Sequence, residues 1–272
     1  MSPTILQGLL RQELGFEGLI ISDCMMMDAI AAYYGTVKGT VAAVKAGVDL
    51  VLICHSNPLT AEACIALDEA LEEETLLESF RRIEKVKKAF VDPEYPPECV
   101  GCEEHLAFAE KLAYKALTFA GGPGEILPLG ENPLFVGCEP YRTSMAADPS
   151  SFGGVLPREL QECFGGASLE IISDPEEKTI ADILARAKEH TALVVSTFNG
   201  RHQPGQRKLL ESLKNAEVPV FLIAMRDPFD LIGMTDTCWC LAAYDYTEVS
   251  VRAVVKAFKN RLCCCGKLPV DL

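Results

Sequence analysis

The feature that most constrains this chain is the alternation of short apolar runs with amphipathic helical stretches. Apolar runs at 133–138, 168–172, 192–197, 218–225 and 238–243 are separated by helical patterns near 156–164, 176–189, 205–215 and 247–259. Strands that alternate with helices pair in parallel, because returning to the same end of a sheet takes a crossover long enough to hold a helix. The pattern therefore predicts an α/β domain built on a doubly wound sheet of about five strands. Gly121, Gly122, Pro123 and Gly124 precede it and read as a break. They lack the Lys-Ser/Thr of a phosphate loop and the spacing of a dinucleotide fingerprint.

The N-terminal part shows the same alternation only twice: strand 18–22, helix near 36–47, strand 49–54, then one long helix from about 60 to 90. Thr60 is the expected cap of that helix, and Leu67, Leu71, Leu76, Phe80, Ile83, Val86 and Phe90 form its expected buried stripe. Val91, Asp92, Pro93, Pro96 and Pro97 then end helix formation, so 91–103 reads as a linker before a helix at 104–118. The expected division is 1–90, a linker with connecting helix at 91–118, and a domain at 119–272. Two strand–helix units cannot cover both faces and both edges of a parallel sheet. The first segment is thus expected either to be completed by something else or to be a fragment.

Charge excludes some partners. A formal net charge of −14 repels phosphate backbones and anionic lipid, which argues against nucleic-acid and membrane-surface binding. The acidic stretch 69–74 lies in a helical pattern and reads as a solvated face. No apolar run approaches the roughly 20 residues of a membrane span. Arg11 and Glu13 interrupt any signal-peptide pattern at the N-terminus. Twelve cysteines are too sparse for a disulfide scaffold, and a reducing cytoplasm is the simplest setting. Cys54, Cys64, Cys138 and Cys163 fall inside apolar patterns and read as small hydrophobes. Cys99 and Cys102 have metal-ligand spacing without the second pair that a structural zinc site needs, so no metal is expected. No chemistry is assigned to Cys263, Cys264 and Cys265.

Asp23 stands where the first apolar run ends. A carboxylate there serves either as a helix N-cap or as a catalytic group at the carboxyl end of a parallel strand. Met25 and Met26 read as packing residues; Met27 reads equally as packing or as part of a cleft. Asp28 reads as a helix start. His55 follows the second strand, and His202 lies in the turn-rich stretch Asn199, Gly200, Arg201, His202, Gln203, Pro204, Gly205. His105 and His190 read as solvated helix residues.

The stretch Gly15, Phe16, Glu17, Gly18, Leu19, Ile20, Ile21, Ser22, Asp23 followed by Met27, Asp28, Ala29 and Ile30 closely resembles glycoside hydrolase family three, in its branch of bacterial β-N-acetylglucosaminidases. The resemblance continues through Ala46, Gly47, Val48, Asp49, Leu50, Val51 and Leu52, and through Glu78, Ser79, Phe80, Arg81, Arg82 and Ile83. It reappears in Arg226, Asp227, Pro228, Phe229, Asp230 and Leu231, and in Gly266, Lys267, Leu268, Pro269 and Val270. It implies the last two strand–helix units of a TIM-type barrel followed by an α/β sandwich domain, with Asp23 as the nucleophile of a retaining glycosidase. It further implies Met27 as a residue lining the sugar site, and no cofactor. From their loop positions, His55 either sits at the barrel mouth against the sugar or makes surface contacts, and His202 either overhangs the cleft against the sugar or belongs to a Pro-Gly turn. The family's acid/base histidine lies in a Lys-His-Phe-Pro-Gly-His-Gly-type motif that does not occur here, so the chain is expected to look truncated and to be inactive alone.

The implied partners are a carbohydrate substrate, foremost a terminal β-linked N-acetylglucosamine in carbohydrate metabolism or cell-wall recycling, and a separately encoded N-terminal barrel fragment. β-Glucosides and β-xylosides remain open as substrates. Two other classes also stay open: a non-catalytic sandwich module binding carbohydrate or protein, and a flavodoxin-like small-molecule binder. The latter lacks a phosphate-cradling loop at any predicted strand–helix junction.

Overall fold

The computed structural model describes residues 2–54, 56–91, 100–141 and 155–271, apart from the side chains of residues 73–75. These residues fall into two compact units, one holding residues 2–91 and the other residues 100–271.

The first unit opens with a helix of π type, Thr4–Glu13, followed by i→i+5 closure in which the Leu14 N–H donates to the Leu9 carbonyl (2.9 Å). Strand β1 (Ile21–Cys24) pairs in parallel with β2 (Leu50–Leu52). Between them run a single turn, α1 (Asp28–Ala31), and α2 (Thr36–Ala46). Gly47 ends α2 at φ 112°, a left-handed conformation that its missing Cβ permits. The apolar cluster here is small: Ile20, Met25, Ala43 and Val48 form its buried part.

The expected helix over 60–90 is two helices, α3 (Asn57–Ala70) and α4 (Glu73–Phe90), separated where Leu71 is extended (φ −129°, ψ 139°). Asp68 and Glu72 stand four apart across that break, a like-charge spacing that disfavours a continuous helix. Ser56 rather than Thr60 is the cap: its Oγ accepts from the Leu59 N–H (3.3 Å), with Pro58 in the first turn. Thr60 instead donates back to the Ser56 carbonyl (2.9 Å). The expected stripe is only partly covered. Leu67, Leu71, Leu76, Ile83 and Val86 are half-buried, while Phe80 and Phe90 are 61% and 83% exposed.

Asp49, at the entrance to β2, joins these pieces. Its side chain is 1% exposed and takes four donors. Oδ2 accepts from Arg11 Nη2 (2.6 Å) and the Ile20 N–H (2.8 Å); Oδ1 accepts from Ser79 Oγ (2.8 Å) and Arg82 Nη1 (2.9 Å). Burial alone would raise this carboxyl, but the Ile20 amide, the Ser79 hydroxyl and the Arg82 guanidinium outweigh it and hold it below its ordinary value.

In the second unit, among the described residues, six strands pair in the order β3 (Thr118–Gly121), β8 (Trp239–Ala242), β7 (Val220–Ala224), β6 (Leu193–Thr197), β4 (Leu134–Cys138), β5 (Ala167–Ile171). All neighbours are parallel except β3 against β8. Alternate residues face opposite layers. Phe135, Val194, Phe221 and Leu241 pack with Leu156 and Leu160 of α6 (Val155–Phe164) and Val254 and Phe258 of α9 (Glu248–Lys259). Val136, Val195, Leu222 and Ala242 pack with Ile180 and Ile183 of α7 (Glu177–Ala187) and Leu209 and Leu213 of α8 (Pro204–Leu213). This is the doubly wound α/β sheet, with one strand more than expected. Helix α5 (Glu103–Ala116) belongs to this unit: Arg252 pairs with Glu110 (3.2 Å), and Lys256 Nζ lies 4.8 Å from the centre of the Tyr114 ring.

Several cysteine expectations change. Cys138 is buried as expected, whereas Cys54, Cys64 and Cys163 are exposed, because each sits at a strand end or on the outer side of its helix.

Breaking a buried charge network typically costs about 3–5 kcal/mol. Asp49→Ala is expected to lose that much stability, read by urea unfolding. The folded carboxyl titrates below the unfolded value of roughly 3.9. Asp49 therefore contributes fully above about pH 4, and the contribution is lost as pH falls through the lower folded value. Asp49→Asn should flatten the acid limb of the stability curve; an unchanged limb would contradict the assignment.

Candidate active site

The end of β1 is irregular, and the irregularity falls on Ser22 and Asp23. Ile21 pairs with Leu50 and Cys24 with Leu52, so β1 spends three steps where β2 spends two. That is a β-bulge, a device that re-aims side chains at strand ends. The Leu52 N–H, which the interrupted ladder would leave without a partner, donates to Ser22 Oγ (3.1 Å), and that hydroxyl donates to the Asp23 carbonyl (2.7 Å). Asp23 is exposed, and its Oδ1 accepts from the Cys24 N–H (2.7 Å). Among the described residues its carboxylate enters no ion pair.

The helix-cap alternative for Asp23 does not hold. The next helix, α1, starts at Asp28, and its cap is Met27, with φ −66° and ψ 144°. Asp28 occupies the first helical position, where its charge suits the positive end of the turn. Met25 is buried in the small cluster, as expected for a packing residue; Met26 and Met27 are half-buried on the loop that follows Asp23. His55 lies outside the described residues. So does Cys99, the first member of the Cys99/Cys102 pair. Among the described residues no group of three or more His, Cys, Asp and Glu side chains is placed to hold a metal.

The second unit organises its own carboxyl-end cluster beyond β6 and β7. Asn199 takes a left-handed conformation (φ 47°, ψ 47°), which asparagine tolerates, and opens the 3₁₀ turn Gly200–His202. Asp230, wholly buried, holds that turn: it accepts from Thr197 Oγ1 (2.6 Å), the Gly200 N–H (2.8 Å) and the Arg201 N–H (3.0 Å). Asp227 caps the short turn Pro228–Leu231 by accepting from the Phe229 N–H (3.0 Å). Arg201 donates to the Phe229 and Ile232 carbonyls. The sequence pattern did not single out either of these roles. His202 is 70% exposed, with Nε2 3.7 Å from Asp227 Oδ2. Tyr141 donates to the Asn199 carbonyl (3.2 Å), and its ring meets Phe198 edge-on. Burial raises the Tyr141 phenol.

The remaining histidines differ from one another. His105 is exposed on α5, whereas His190 follows α7, half-buried, with Nδ1 3.1 Å from the Asn132 carbonyl oxygen. That contact across the loop replaces the fully solvated position expected.

Residues 1–86 match the glycosyl hydrolase family 3 N-terminal domain. A solved structure of a glycoside hydrolase family 3 β-N-acetylglucosaminidase from a Paenibacillus species aligns with all of this chain at a TM-score of 0.76 and 28% identity. Over residues 1–86 the chain is thus similar to the N-terminal domain of glycoside hydrolase family 3, and as a whole to a solved member of that family. By sequence the chain is similar to β-hexosaminidase A of Pseudoalteromonas piscicida, 29% identical over 147 residues, 48% of this chain. The β-hexosaminidase of Thiobacillus denitrificans is 41% identical over 63 residues, 23% of this chain. These matches span 24% and 18% of the two hexosaminidases, and the chain spans 54% of the Paenibacillus structure. Among the described residues no helix is long and apolar enough to cross a membrane.

Removing Asp230 leaves three donors without an acceptor, each worth about 1–3 kcal/mol when buried. Asp230→Ala should therefore destabilise the second unit far more than Asp227→Ala, whose cap is worth about 1 kcal/mol. Urea titration of the two variants tests this, and the reverse order would remove Asp230 as the turn's anchor.

Proposed function

We propose that this chain carries the nucleophile of a retaining β-N-acetylhexosaminidase acting on terminal β-linked N-acetylglucosamine. The observation that supports it is the state of Asp23: an exposed carboxylate at the carboxyl end of a parallel strand, beside a bulge and, among the described residues, taking one local hydrogen bond. The solved relative and the sequence relatives above carry hexosaminidase or N-acetylglucosaminidase names, which favours that sugar over glucosides and xylosides.

In this reading the Asp23 carboxylate attacks the anomeric carbon. A proton donor about 5 Å away protonates the leaving oxygen, and water then hydrolyses the glycosyl ester. Asp23 must be ionised to attack, and its exposure leaves it hydrated and free to rotate toward substrate. Met27 lines the loop beside it, while His55 and His202 are further sugar contacts. The proton donor comes from another polypeptide segment, an N-terminal barrel fragment. Support for such a partner lies in the two-stranded sheet: Ile21 is 51% exposed, Leu50 and Leu52 are exposed too, and among the described residues no third strand pairs with β1 or β2. Free β edges take up further strands. The cytoplasm is the proposed location, supported by the free state of every described cysteine.

Two measurements test this reading. The purified chain is expected to turn over no aryl β-N-acetylglucosaminide alone, to gain turnover when an N-terminal barrel polypeptide is added, and to lose it again in Asp23→Asn. Turnover surviving in Asp23→Asn would eliminate Asp23 as the nucleophile. The bare edges also predict concentration-dependent self-association, which light scattering reads; a clean monomer at high concentration would count against an open sheet.

A further inference from the structure

Near its C-terminus the chain reverses its overall charge. Acidic residues outnumber Lys and Arg by 39 to 25, yet residues 249–270 hold no Asp or Glu and carry Arg252, Lys256, Lys259, Arg261 and Lys267. Arg252 pairs with Glu110 and Glu248, while the other four enter no ion pair among the described residues. The stretch runs beside α5, whose exposed Lys111 and Lys115 are likewise without an ion pair among the described residues.

Three cysteines stand among these cations. Beyond α9 the chain turns at Arg261 and Leu262, both left-handed (φ 52° and 53°). From there burial alternates: Leu262, Cys264 and Leu268 pack on the core, whereas Cys263, Cys265 and Lys267 are exposed. The strap is well held. The Cys264 N–H donates to the Leu262 carbonyl (2.8 Å), closing a three-residue turn centred on Cys263. The Tyr114 hydroxyl donates to the Cys263 carbonyl (3.3 Å) and accepts from Asn260 Nδ2 (2.9 Å). The Gly266 N–H donates to the Leu117 carbonyl (3.1 Å), and a Cβ at Gly266 would lie 2.5 Å from the Ala116 and Leu117 carbonyl oxygens, so only glycine fits. The Cys265 thiol donates to the Lys115 carbonyl (3.9 Å), but the Cys263 sulfur enters no hydrogen bond among the described residues.

We propose that this strap is a thiol-modification site, at which Cys263 takes a mixed disulfide from a small anionic disulfide, glutathione disulfide.

The chemistry needs an accessible sulfur and a field that gathers the reagent. Carboxylates outnumber ammonium groups in glutathione disulfide, so a cluster of uncompensated cations raises its local concentration. The Cys263 thiol gives up its proton, and its sulfur attacks one sulfur of the small disulfide. That S–S bond breaks, and one glutathione leaves as a thiolate and takes up a proton. Protein thiol and disulfide thus become a mixed disulfide and one free thiol. The Cys263 sulfur is oxidised and the departing sulfur reduced. A second thiol reverses the step.

The other described cysteines lack this combination. Cys138, Cys238 and Cys240 are buried. Cys54 and Cys64 are exposed, but residues 46–80 contain no Lys or Arg. Cys163 is exposed on α6 close after Glu159 and Glu162, and Cys102 is followed by Glu103 and Glu104. Acidic surroundings repel an anionic disulfide. The site lies in the second unit and does not depend on the role of Asp23.

The test is peptide mapping of the reduced full-length chain after brief exposure to glutathione disulfide and rapid alkylation. The expected first adduct is on Cys263, about 305 Da heavier. Fragment sequencing places it within the tryptic peptide 262–267. Cys64 and Cys163 should lag by about 10-fold, a gap that added salt narrows. Cystamine, a dicationic disulfide, should lose or reverse that preference in the unaltered chain. Lys259→Glu combined with Lys267→Glu should slow the Cys263 adduct by about 10-fold and leave Cys64 unchanged. Adducts on Cys64 or Cys163 as fast as on Cys263 would overturn the proposal. So would an equal preference for Cys263 with cystamine, or a first adduct on Cys265.

Discussion

The geometry of the first unit depends on one buried carboxylate. Asp49 receives the π-helix through Arg11, the start of β1 through the Ile20 amide, and α4 through Ser79 and Arg82. Stripping water from a carboxylate costs several kcal/mol, and here four donors fill its lone pairs and offset that cost. The apolar cluster beside it is thin, with four buried side chains, so it cannot by itself specify how these segments meet. The polar hub does so instead. A carboxylate oxygen accepts along directed lone pairs, whereas apolar contacts tolerate sliding.

The hub has a short lever arm to the bulged end of the strand. Ile20 is bound to Asp49, Ile21 is the first paired residue of β1, and Asp23 follows two positions on. Between them lies the bulge, held by Ser22 against the Leu52 N–H. A serine there supplies the acceptor that the skipped ladder bond lacks. The same extra residue leaves Asp23 exposed at the strand end.

Much of the second unit was legible because its central strands are buried on both faces, which makes each a continuous apolar run with a helix to either side. Strand β3 was not legible. Thr118–Gly121 is short, and only its antiparallel pairing with β8, more than 100 residues away, makes it a strand. The long helix over 60–90 was misread for a related reason: the apolar period runs on across Leu71, and the break lies in charge spacing and backbone geometry. Asp49 looked like the first residue of an apolar run, because its four donors lie 29 to 38 residues away. The bulge was equally invisible. It is an offset between two strands, and neither strand alone contains it.

A comparison among the acids sharpens what sets Asp23 apart. Asp49 and Asp230 are buried with their oxygens filled by three or four donors, Asp227 caps a turn, and Asp28 begins a helix. Each of these has its charge committed to holding the chain. Among the described residues Asp23 takes a single bond, from the next residue's amide, and its side chain is exposed. A nucleophilic carboxylate must combine a fixed backbone with an oxygen free to form a bond, and filling that oxygen with structural donors would cost reactivity. The bulge fixes the backbone without using the carboxylate, because the stabilising bonds run through Ser22 and the main-chain carbonyl. If Asp23 is the nucleophile we propose, its removal should alter chemistry more than stability, the inverse of Asp49.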